Sequence, residues 1–110
     1  MKIYEYKKKA ELIHSTEVYD VFDYRKLQNL SLSLTELHAN QKTSGHFHDD
    51  ADEVYIFISG HGKIQISEEF LTCEKGDVFI IPRGDFHKVW NESDEDLVFW
   101  SIFEKYGKRR

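Results

Sequence analysis

The chain has 110 residues, 40% of them hydrophobic and 15% aromatic, enough apolar material for one packed core and too little length for a second. Twenty Asp and Glu against 15 Lys and Arg give a net charge of −5, which argues against nucleic acid or an anionic membrane as partner. The lone Cys73 cannot form an internal disulfide and no apolar run is long enough to cross a bilayer, so the expectation is one soluble, cytoplasmic domain over residues 1–110.

The chain opens with MKIYEYKKKAELIH, in which charge dominates and no apolar stripe of helical period emerges, so at most a short turn is expected over Lys7–His14. The basic clusters Lys7–Lys9 and Lys108–Arg110 lie near the ends of the chain and read as solvated. From Val18 onward, short β-type runs follow one another: Val18–Tyr24, Leu30–His38, Glu53–Ser59, Lys63–Ser67, Phe70–Cys73, Val78–Ile81, His87–Trp90 and Leu97–Phe103. Turn signals such as Ser59-Gly60-His61-Gly62, Glu74-Lys75-Gly76-Asp77 and Arg83-Gly84-Asp85 separate them, the rhythm of an all-β sandwich or barrel. Cys73, with no CxxC partner, reads as a packed strand residue.

Two segments carry the chemistry, Gly45–Gly60 (GHFHDDADEVYIFISG) and Gly76–Asn91 (GDVFIIPRGDFHKVWN). Strand alternation puts His46 and His48 on one side with Phe47 on the other, and groups Glu53 with Tyr55, Phe57 and Ser59. His87 opens a later run after the Pro82-Arg83-Gly84 turn, so distant strands can bring it to the same point. Each of these residues alone reads as an ordinary polar side chain. Together, three imidazoles and a carboxylate turned inward beside apolar strands carry a desolvation cost that a bound cation removes. The predicted metal ligands are His46, His48, Glu53 and His87. Mixed nitrogen and oxygen donors suit one divalent ion among Fe, Mn, Zn, Ni and Co, and do not suit the all-oxygen coordination of calcium. Asp49, Asp50 and Asp52 lack the glycine and distal glutamate of a calcium loop and are read as a solvated turn.

These same residues resemble the cupin superfamily, whose motifs read G-x5-HxH-x3,4-E-x6-G and G-x5-PxG-x2-H-x3-N. His46, His48, Glu53 and Gly60 fit the first, and Gly76, Pro82, Gly84, His87 and Asn91 fit every fixed position of the second. The opening glycine of the first motif is replaced by Asn40, the non-glycine residue best suited to left-handed backbone. The resemblance implies a double-stranded β-helix, or jelly-roll cupin barrel, with a motif-bearing core over about residues 30–104. It also implies a metal site with open positions for a small-molecule ligand or substrate.

An open divalent ion can polarise a carbonyl or hydroxyl, or activate dioxygen if it is iron. The first reading is an isomerase- or lyase-like enzyme with the metal as Lewis acid on a small oxygenated metabolite such as a sugar derivative. The alternatives are an Fe(II)-dependent dioxygenase, with Tyr55 and Phe57 lining an apolar pocket, and a non-catalytic metal- or ligand-binding cupin. Catalytic residues stay unassigned: Arg83 reads as an exposed loop residue, Lys88 points away from His87, His14 and His61 read as exposed, and Glu36 and His38 share a face at an unknown distance from the metal. A homodimer is expected from the short barrel, with Ile3–Tyr6 or Val18–Tyr24 as candidates for strand exchange.

Overall fold

A computed structural model describes residues 1–48 and 51–104. A short helix, α1 (Ile3–Lys9), precedes nine strands: β1 (Glu11–Ser15), β2 (Tyr19–Tyr24), β3 (Leu30–Leu37), β4 (Glu53–Ser59), β5 (His61–Ile66), β6 (Glu69–Glu74), β7 (Val78–Ile81), β8 (His87–Asn91) and β9 (Leu97–Glu104). They form an antiparallel six-stranded sheet in the order β1-β2-β3-β9-β4-β7 and a three-stranded sheet in the order β6-β5-β8. The all-β jelly-roll expectation holds, and the strands from β2 onward fall close to the expected runs. The basic residues Lys108–Arg110 and the acidic pair Asp49 and Asp50 lie outside the described residues.

The N-terminal end departs from expectation. Ile3–Tyr6 is helical, and the segment read as a turn is divided between the end of α1, Lys7–Lys9, and β1 from Glu11 on. A seven-residue helix is too short to stand on propensity. Tertiary contact holds it: Tyr6 is buried, meets the Trp100 ring edge-on at 4.7 Å, and its hydroxyl lies 2.8 and 2.9 Å from the Phe22 and Leu32 carbonyls. Glu5 accepts a hydrogen bond from the Lys2 backbone N–H, closing the first turn. Neither candidate for strand exchange offers a free strand edge, since Ile3–Tyr6 is helix and β2 is paired on both sides; the edges of the large sheet are β1 and β7.

Between the sheets lies a core of Leu37, Tyr55, Phe57, Ile64, Cys73, Ile81, Val89, Leu97 and Phe99. Cys73 is 1% exposed, and burial, aided by the Asp77 carboxylate, pushes its thiol up to about 12, so it is an inert packing residue as read. In β3 the Leu-Ser alternation turns Ser31, Ser33 and Thr35 toward the interior. Leu34 is fully buried on the opposite face, paired in register with the Trp100 that Tyr6 covers.

Candidate metal centre

Asn40 adopts the left-handed conformation anticipated for it, with φ of 59°. Gly45, with φ of 84°, sets up His46; a Cβ there would collide with the Phe86 ring, so glycine is required twice over. His46 and His87 then exchange both backbone hydrogen bonds, at 3.0 and 2.9 Å, as an isolated bridge. Farther along, the His48 carbonyl accepts from Gly84 N–H at 2.6 Å, and the Asp52 carboxylate accepts from Arg83 N–H at 3.0 Å. The Pro82-Arg83-Gly84 turn is thereby stitched to the loop before β4. His46 and His48 thus lie in a tied loop and not on the continuous strand their alternation suggested, yet their rings still meet, 5.0 Å apart.

Glu53 opens β4 facing inward and is 3% exposed, and His87 opens β8 at 2%. His87 Nδ1 lies 3.1 Å from the Asp85 carbonyl, an acceptor only, so the ring proton resides on Nδ1. Nε2 of His87 lies 2.7 Å from Glu53 Oε2 and 3.0 Å from His46 Nε2, and in the neutral ring it offers a lone pair to that space. Glu53 Oε2 is buried and, among the described residues, lacks a hydrogen bond of acceptable direction. Donor atoms of His46, Glu53 and His87 all fall within 4.8 Å of one another. Burial, and then His87 beside it, push His46 down to about 4, with Glu53 opposing the fall. Buried lone pairs crowded together and a ring held neutral are the donor set a divalent ion requires, and the histidine-to-carbonyl bond is the outer support metal-bound imidazoles use. His48 stands one step out, its Nε2 3.5 Å from Glu53 Oε1 and its ring stacked on Phe103.

Inside the barrel, a cavity of about 190 Å³ reaches His46, His48 and Glu53. Its walls add Tyr19, Val21, Tyr55, Phe99 and Phe103, together with a polar group, Asp23, Ser33, Thr35 and Ser101. Tyr55 lines this space, whereas Phe57 is fully buried against Phe79 and Phe99 and belongs to the core. The polar wall was absent from the sequence reading. Its only signal is hydroxyl residues at every second position of β3, which alternation alone does not assign to a face.

The other sequence candidates lie elsewhere. Glu36 pairs with Lys7, and His38 sits between Asp96 at 3.1 Å and Asp20 at 3.6 Å. Lys88 extends over the Trp90 ring, away from His87, and Arg83 is exposed beside Asp52 and Glu104. His14 and His61 are exposed, as read.

A cupin-domain family model matches residues 33–103. The chain is 30% identical to a glucose-6-phosphate isomerase of Pyrococcus horikoshii, over 79% of this chain and 53% of that protein. It spans about half the length of the curated relatives it matches. Among solved structures, the oxalate decarboxylase of Lactobacillus farciminis, in complex with formate, superposes with a TM-score of 0.81 at 23% identity, covering 89% of this chain and 32% of that one. KdgF from Halomonas sp. superposes with a TM-score of 0.78 at 13% identity, covering 94% of each chain.

Proposed function

Because the chain belongs to the cupin family, we propose that it is a metal-dependent enzyme acting on a small oxygenated metabolite, in isomerase- or lyase-like chemistry. His46, Glu53 and His87 would hold one divalent ion, with His48 as the fourth ligand. The observation that carries this reading is the buried Glu53 Oε2, which among the described residues has no hydrogen bond of its own and faces His87 Nε2 at 2.7 Å. A bound divalent ion would supply Lewis acidity toward a carbonyl or hydroxyl oxygen.

The chain's own residues do the rest. The Asp85 carbonyl fixes the His87 tautomer, and the paired backbone bonds between His46 and His87 hold the two rings in register. Burial, followed by the Glu53 carboxylate, holds the Tyr55 phenol far above its ordinary value, so it stays neutral and able to donate to a substrate oxygen. Phe99 and Phe103 flank the cavity and limit water around the reacting group. The isomerase name of the 30%-identical relative supports an aldose–ketose interconversion as the first reaction to test. Metal-loaded protein should convert glucose 6-phosphate to the ketose and lose that activity with chelator. No conversion of it or of shorter hydroxyaldehydes under any metal would overturn the isomerase reading.

A further inference from the structure

Four polar side chains stand in one row across the large sheet. Cross-strand register sets Asp23 of β2 opposite Ser33 of β3, Ser33 opposite Ser101 of β9, and Ser101 opposite Tyr55 of β4. All four are buried, at 8, 6, 6 and 6% exposure, and all four line the cavity. Tyr55 is two residues beyond Glu53 on the same face, so this row is the neighbour of the one that carries the metal-site carboxylate. The next row inward is mostly apolar: Val21, Thr35, Phe99 and Phe57.

Ser33 donates to Asp23 Oδ1 at 2.6 Å, and Arg25 stands 3.5 Å from the other carboxylate oxygen. Ser101 stands directly opposite Tyr55 in register on the neighbouring strand. Each hydroxyl in the row can both donate and accept, so the Ser33–Asp23 bond leaves hydrogen-bonding capacity on a wall that lines the cavity. Buried polar groups are costly unless they find partners, and an apolar ligand would seal this wall without supplying them. The space, about 190 Å³, exceeds the roughly 150 Å³ that admits a benzene ring.

Resting on the metal reading above, we propose that the Asp23–Ser33–Ser101–Tyr55 row is the specificity wall of the site, and that its ligand is a short polyhydroxylated molecule. One oxygenated end meets the metal ligands while hydroxyls farther along the chain exchange hydrogen bonds with the row. Aromatic and alkyl substrates are disfavoured.

The test uses two four-carbon acids with the same metal-binding head, erythronate and 2-hydroxybutyrate, titrated calorimetrically into cobalt-loaded protein. They differ only in the hydroxyls at the third and fourth carbons. Erythronate should bind at least about tenfold more tightly, the size of one or two added hydrogen bonds. Ser33→Ala and Ser101→Ala should each shrink that preference while cobalt content stays unchanged. Equal affinity for the two acids, binding of neither by protein that holds cobalt, or a preference untouched in both variants overturns the specificity wall and leaves the metal reading standing. Protein that takes up no cobalt overturns both.

Discussion

Two histidine clusters in this molecule are built from the same residue types and behave in opposite ways. At the end of the barrel, His38 is flanked by Asp96 and Asp20, and the hydrogen bond to Asp96 raises its pKa above the usual value. Within the barrel, His46 and His87 group with one carboxylate, Glu53, their donor atoms within 4.8 Å of one another, and His46 is pushed down to about 4 by burial and by its neighbour. The difference lies in the ratio of lone pairs to acids and in access to water. Two carboxylates around one ring, Asp96 exposed and Asp20 half-buried, are satisfied by a proton on that ring. Two rings around one buried carboxylate leave several lone pairs facing each other, an arrangement a multivalent cation satisfies better than a proton.

The largest effect expected from this contrast is loss of metal. Glu53→Ala or His87→Ala should lower metal affinity by more than the roughly 10–100-fold that losing an outer hydrogen-bond partner costs a metal site. His38→Ala should leave affinity unchanged, and competition with a chelating dye separates the two results. Next in size is Asn91, 2% exposed, whose amide reaches the carbonyls of Leu37, His38 and Glu95 and whose oxygen accepts from Ser93. Asn91→Ala strips these buried groups of partners and should cost about 1–3 kcal/mol in urea unfolding. Its main loss should be stability, with metal still bound by folded protein.

The two clusters should also oppose each other in pH. His46 has a lowered folded pKa, so its contribution to metal-free stability is complete above about 6.5, its unfolded value, and is lost as pH falls through about 4. His38 has a raised folded pKa, so its contribution is complete below about 6.5 and is lost as pH rises through the raised value. Denaturant midpoints between pH 4 and 8 should show His46→Ala flattening the acid side. The smallest effect is that of His38→Ala, which should flatten the neutral-to-alkaline side by no more than about 1 kcal/mol, the range of a solvent-exposed pair.

How much of this was legible in the chain follows from how far each feature depends on residues nearby in sequence. His46, His48, Glu53 and His87 stand out because their spacing fits two strand-bound segments, and the structure places donors from three of them around one point. His48 reads as their equal in sequence but stands a step farther out, since its position depends on how the Gly84 amide grips its carbonyl. Helix α1 was not legible, because Tyr6, which anchors it, rests on groups distant in sequence: the Trp100 ring and the Phe22 and Leu32 carbonyls. The row from Asp23 to Tyr55 was hidden for the same reason: β3 pairs with β9, and no local period encodes that register. In β3 the alternation itself was visible, but Leu34 and Ser33 are both buried, one beneath the helix side and one in the cavity, so hydrophobicity alone does not say which face is which.

The most direct test of the central claim is calorimetric titration of chelator-treated protein with cobalt, manganese and zinc at pH 7.5 and again at pH 5.5. The account predicts one ion per chain, weaker binding at the lower pH because the imidazoles must be neutral to bind, and near-complete loss of binding in Glu53→Ala. Absence of binding for all three metals, or affinity indifferent both to pH and to the Glu53 substitution, would contradict it.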